Sequence, residues 1–340
     1  METECNQESF EFQALKCRRV VGEFTGGEIT SEGGGLMIRE VAERLGTLDR
    51  FSDCFEDYRN SGLIEHTLGE LIRQRVYGLV LGYGDLNDHD ELRRDHGFAT
   101  IVGKEDITGE SRTRERDKGN PLASDSTLNR IELTPADADE HSRYKKIRYH
   151  SGKIEEFFVE EFLRAHKKPR KEIILDLDAT DSPLYGHQEG RFFHGYYDHY
   201  CYLPLYVFCD DYLLCSKLRP SNIDGAAGSV EQLEYIVGKI RERWPKVKIL
   251  LRGDSGFARE EIMAWCEEHS IDYVFGLAKN ERLKAQIEDA MKEAFEKCER
   301  SGEPARVFKE LRYRTLDCWS STRRVVAKAE CLPQGENPRF

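Results

Sequence analysis

The alternation of apolar and polar positions changes character once along this chain. In the first part apolar residues recur at helical spacing: Leu36, Ile38, Val41, Ala42 and Leu45 after a triple glycine, then Leu68, Leu71, Ile72, Val76, Leu79 and Val80. These patterns predict a helix behind a flexible glycine entry, and one long helix over 63–83 bounded at Gly82. A strand is expected over 18–30, an exposed loop over 103–120, and a short helix capped by Ser124. Near residue 170 the period shortens to two. In KEIILDLDA, Ile173, Leu175 and Leu177 face one way while Ile174, Asp176 and Asp178 face the other, which is the pattern of a strand. Residues 198–219 then predict two strands joined at Asp210 and Asp211. A helix over 229–244 follows, with Leu233, Ile236, Val237 and Ile240 inward and Pro245 as its stop. Lys246 to Arg252 reads as a fourth strand, 258–269 as a helix and 272–278 as a fifth strand.

Three strands followed by helix, strand, helix and strand is the order of a ribonuclease H-like α/β core. In that fold the first strand lies beside the fourth. Asp178, near the end of the first, and Asp254, just past the end of the fourth, are then expected side by side at the carboxyl edge of the sheet, where open α/β sheets bind ligands. Two such carboxylates repel unless a cation separates them, and hard oxygen donors favour Mg²⁺ or Mn²⁺. A pair of ions there activates an attacking hydroxyl and stabilises the leaving oxygen of a phosphodiester. Asp176, Asp181 and Asp198 are rivals to Asp178, and a plain alternative makes Asp178 a strand-end group and Asp176 the partner of an arginine. The GDSG run from Gly253 lacks the supporting residues of a serine protease, and His187, His194 and His199 lack the spacing of a zinc motif. The glycines at 33–35 lack the lysine and hydroxyl of a phosphate loop.

Composition narrows the class. The 340 residues, 39% hydrophobic and 34% charged, suit a globular protein of one large or two to three smaller domains. No apolar run reaches the roughly 20 residues of a membrane span. The amino terminus has no secretory pattern, and the ten cysteines form no CxxC pair, so a cytoplasmic protein is expected. A net charge of −12 argues against coating nucleic acid through bulk charge. Local basic clusters remain, and Lys167, Lys168, Arg170, Arg241, Arg243 and Lys246 are the candidate phosphate contacts, although a solvated helix face explains each cluster equally well.

LDLDATDSPLYGHQ around Asp178, YLPLYVF from Tyr202, and ILLRGDSGFAREEIMAWCEEHSIDYVFGLAKN from Ile249 resemble the acid-bearing segments of bacterial insertion-sequence transposases with a group-1 DDE domain. HTLGELIRQRVYGLVLGYGDLNDHDELRRD from His66 and LASDSTLNRIE from Leu122 are similar to their helical amino-terminal region. The resemblance implies an enzyme that binds terminal inverted repeats and target DNA, acts as a homo-oligomer on DNA, and cuts and rejoins strands with metal held by Asp178 and Asp254. It also implies a third acid, a glutamate on a helix after a β-rich insertion, expected beyond Phe340. On that basis the chain is expected to stop short of a complete catalytic set. Glu288, Asp289 and Glu293 read as part of the insertion. The expected division is a mostly helical DNA-binding and dimerisation region over 1–165, the catalytic core over 166–280 and a partial insertion over 281–340. A hydrolytic metal-dependent nuclease and a non-catalytic DNA-binding regulator are the alternatives.

Overall fold

The computed structural model describes residues 9–26, 30–332 and 335–340, which fall into two units, 1–157 and 158–340. The first unit opens with an antiparallel hairpin, β1 (Ser9–Leu15) and β2 (Arg18–Glu23). The strand expected over 18–30 is thus shorter, and its positions 27–29 lie outside the described residues. Then come α1 (Gly35–Leu45), α2 (Thr47–Ser52), β3 (Phe55–Asp57), α3 (Leu68–Val80), α4 (His89–Leu92), α5 (His96–Val102), α6 (Asp125–Glu132) and β4 (Ile147–Tyr149), the last pairing with β3. Leu48, Tyr77, Phe98, Ile101 and Leu122 form the main core of this unit.

Helix α3 corrects the expectation of one helix over 63–83. Its start is fixed at Leu68 because Thr67 and Glu70 close a reciprocal capping box, which satisfies two backbone donors and sets the chain direction there. Its buried face is also displaced from the expected stripe. Leu71 and Ile72 are inside as expected, but Gln74, Tyr77 and Gly78 complete the face while Leu79 and Val80 stay exposed. Gln74 is tolerated inside because its amide bonds both the N–H and the carbonyl of Ala123.

Helix α7 (Ser151–Ala165) contains the division between the units. The second unit is built on β5 (Glu172–Ala179), followed by a small three-stranded sheet of β6 (Ser182–Pro183), β7 (Phe192–His194) and β8 (His199–Tyr202) that the sequence reading did not foresee. β9 (Leu205–Cys209) and β10 (Tyr212–Lys217) form the expected hairpin, turned at Asp210 with φ 52°. α8 (Ser229–Arg243), β11 (Lys248–Gly253), α9 (Glu260–Glu268) and β12 (Asp272–Phe275) complete the core. The five-stranded sheet has the order β10-β9-β5-β11-β12, antiparallel through β5 and parallel from β5 onward. Ile173, Leu175 and Leu177 point into a core shared with Val159 and Phe162 of α7, Leu233 and Ile236 of α8, and Ile262 of α9. The opposite face carries Ile174, Asp176, Asp178, Tyr206 and Arg252, none of them buried.

The remaining residues form α10 (Glu281–Gln286), α11 (Glu288–Ser301) and an antiparallel sheet of β13 (Ala305–Tyr313), β14 (Arg323–Leu332) and β15 (Gly335–Glu336). This module packs Leu283, Ile287, Leu311 and Ala327 against Met263 of α9. A buried Arg323 ties it down, donating to Glu260 at 2.6 Å and Glu267 at 2.7 Å on α9 and holding the Glu260 carboxyl down at about 2. No helix among the described residues is long and apolar enough to cross a membrane.

Candidate active site

β5 and β11 run parallel in a register that pairs Asp176 with Arg252 and Leu177 with Gly253. The next position on each is Asp178 and Asp254, so the chain direction and register bring these acids to adjacent positions at the carboxyl edge, one strand spacing of roughly 4.8 Å apart. Asp254 begins a 3₁₀ turn (Ser255–Phe257) and accepts the Gly256 N–H at 2.7 Å through Oδ1, which leaves Oδ2 free for a ligand. Two glycines shape this turn. A Cβ on Gly256 would lie 2.9 Å from the Asp254 carboxylate, and one on Gly276 would lie 3.0 Å from the Ser255 nitrogen. Gly276 also donates its N–H to the Gly253 carbonyl at 3.1 Å, seating the turn on the end of β12. The GDSG run is therefore an aspartate-initiated turn, which explains the residue types without a nucleophilic serine.

The rivals of Asp178 are engaged elsewhere. Arg252 grips Asp176 with two donors, one at 2.8 Å, which matches the plain reading of that acid. Asp181 binds His199 Nε2 at 2.6 Å. Asp198 sits exposed in the turn between β7 and β8 with φ 59°. Asp178 itself is exposed, and its carboxylate makes no hydrogen bond or ion pair with the described residues. It is still felt by its surroundings: the Tyr197 hydroxyl is pushed up by burial and then by the charges of Asp181, Tyr196 and Asp178. Asp224 pairs with Arg259 at 2.9 Å, and a Cβ on the neighbouring Gly225 would lie 3.7 Å from Ala179 at the end of β5. Tyr197 and the Asp224–Arg259 pair were not singled out from the sequence. Their signal is tertiary, because each reaches the edge from a separate loop.

The donor set suits a hard divalent cation: two carboxylates with free oxygens, solvent access, and no arginine or lysine among the described residues neutralising either one. Among the described residues no cluster of three or more His, Cys, Asp or Glu side chains is arranged to hold a metal ion. The acids of α11 are in separate ion pairs, Glu288 with Lys292, Asp289 with Lys309 and Glu293 with Lys297.

The basic candidates lie at the other edge of the sheet. Lys167, Lys168 and Arg170 precede β5, Arg241 and Arg243 close α8, and Lys246 precedes β11; Lys248 N–H donates to the Lys171 carbonyl, which joins the two segments. Strands of six to eight residues separate them from the acid pair by roughly 20 Å. Arg170 is bound to Asp210, while Lys167, Lys168, Arg243 and Lys246 are exposed. Arg241 and Arg243 stand in the last turn of α8, where cations complement the helix dipole.

A family model described as transposase DDE domain group 1 matches residues 12–340. No curated protein matches the chain. Among solved structures, the cryo-EM structure of the piggyBac transposase synaptic complex with hairpin DNA is similar at 13% identity, over 79% of this chain and 54% of that one, with a TM-score of 0.32. The chain thus spans about half the length of that relative.

Proposed function

The chain belongs to the family of transposase DDE domains of group 1, and from that premise we propose that it binds DNA and supplies the metal-holding edge at which a transposase cleaves and rejoins strands. The observation that carries this reading is the β5–β11 register, which sets Asp178 beside Asp254 with an oxygen free on each. We read the sheet order as that of a ribonuclease H-like core. A divalent ion, Mg²⁺ or Mn²⁺, held by these carboxylates would polarise a DNA phosphate and lower the pKa of an attacking hydroxyl. The chain's own residues then have separable tasks. Asp178 and Asp254 would hold the ion, Gly256 and Gly276 keep Asp254 aimed outward, and Arg252 neutralises Asp176 so that no third charge adds to the repulsion. The DNA partners are the terminal repeats of a mobile element and its target, engaged by a homo-oligomer.

The test is cleavage and strand joining on labelled element-end DNA with Mg²⁺ or Mn²⁺. Asp178→Asn and Asp254→Asn each abolish nicked and joined products while end binding persists. Nicking by both variants at the native rate contradicts the assignment, and nicking without any joined product by the native chain favours a hydrolytic nuclease.

A further inference from the structure

The small sheet that follows β5 shows water an unusual surface. Tyr185, Phe192, Phe193, Tyr196 and Tyr200 are all exposed within one short stretch, Tyr185 at 97% and Phe193 at 53%. Exposed aromatic groups gathered in this way mark an interaction surface. The register shows how the outer face is built. Phe193 lies opposite Tyr200 across β7 and β8, and the rings meet edge to face at 5.6 Å. Arg191, two positions before Phe193 and so on the same side, lies over the Tyr200 ring at 4.4 Å. The guanidinium edge is held by the Gly186 carbonyl and by His187 Nδ1 at 3.2 Å, so its plane is preset. The result is a cation–aromatic shelf with the Phe193 ring exposed and Arg191 half-buried.

The inner side of the same sheet turns toward the acid edge. Its buried Cys201 and its His199 face inward, His199 reaching Asp181, and Tyr197 in the β7–β8 turn lies 3.5 Å from the Ala179 carbonyl and feels the Asp178 charge. The shelf is thus the outer face of a small sheet whose inner side touches the end of β5, next to Asp178. Resting on the reading that the acids hold a DNA phosphate, we propose that this shelf, centred on Arg191, Phe193 and Tyr200, stacks unpaired nucleotides of the strand being processed. Flat aromatic and guanidinium faces accept any base, whereas a paired duplex offers none sideways. The chemistry fits single-stranded DNA better than an aliphatic protein surface, because the shelf is aromatic and cationic.

The experiment uses the full chain and two probes, a duplex and the same duplex with a single-stranded extension carrying 2-aminopurine. Anisotropy reports binding and 2-aminopurine fluorescence reports stacking. Native protein quenches the probe, and the Phe193→Ala, Tyr200→Ala double variant loses the quenching and roughly tenfold in affinity for the extended probe, with duplex affinity unchanged. Tyr200→Phe keeps the quenching, which separates stacking from misfolding. Binding of the extended probe by native protein without quenching overturns the shelf, as does undiminished quenching in the double variant. Sedimentation that shows a dimer broken by the double variant, with stacking intact, assigns the face to a second copy of the chain and likewise overturns the proposal. Failure of the acid-site reading looks different: native quenching persists while Asp178→Asn and Asp254→Asn leave metal binding and cleavage untouched.

Discussion

Asp176 and Asp178 sit two positions apart on one face of β5, yet Arg252 neutralises the first and leaves the second bare. A sequence pattern gives both acids the same face and no means to rank them; only the register that places Arg252 opposite Asp176 does so. The difference predicts that Asp176→Asn retains divalent-ion binding and cleavage, measured by metal titration and nicking, whereas loss of both would make Asp176 the ligand. His66 offers a second residue-level test. Buried, with Arg112 donating to its Nε2 at 2.6 Å and Lys104 and Arg59 nearby, it is held down at about 3. The unfolded chain protonates this group near 6.5, so its contribution to stability is whole above that pH and is lost as pH falls toward 3. His89, held down at about 4 by burial and then by Arg75, adds the same sign over a narrower window. The unfolding free energy from urea titrations should fall between pH 6.5 and 4 by at most about 1.4 kcal/mol per pH unit for each histidine, and His66→Gln should flatten the slope. An unchanged slope in that variant would assign acid lability elsewhere.

Elements were legible where burial alone sets the period. Ile173, Leu175 and Leu177, and the α8 stripe of Leu233, Ile236, Val237 and Ile240, are buried where the pattern put them. The reading overran at α3, because a capping box outweighs continued apolar spacing, and it missed the small sheet of β6, β7 and β8, running β8 together with β9, because strands of two to four residues are too short to show a period. Gly276 was also invisible, since its role is close approach to a turn more than twenty positions earlier. That role predicts that Gly276→Ala, which must displace Ser255 by a few tenths of an ångström, lowers divalent-ion affinity several-fold at a stability cost on the order of 1 kcal/mol. Calorimetric titration alongside thermal unfolding separates the two effects. Unaltered affinity would mean that the Asp254 turn does not depend on this packing.

Across the second unit, charge is divided by position along the strands. The bare carboxylates occupy one edge of the central sheet and the lysine- and arginine-rich segments the other. On the proposed function, Lys167, Lys168, Arg243 and Lys246 would meet phosphates away from the acid pair, at the opposite end of the strands. This separation could not be read from a net charge of −12, nor from clusters located only by their position in the chain. The proposed function depends on Asp178 and Asp254 sharing one cation. Electron paramagnetic resonance of Mn²⁺ titrated into the chain without DNA measures that directly. Bound Mn²⁺ in the native chain, lost in both Asp178→Asn and Asp254→Asn but kept in Asp176→Asn, is the expected result. Undiminished Mn²⁺ binding in both single variants would contradict the shared site.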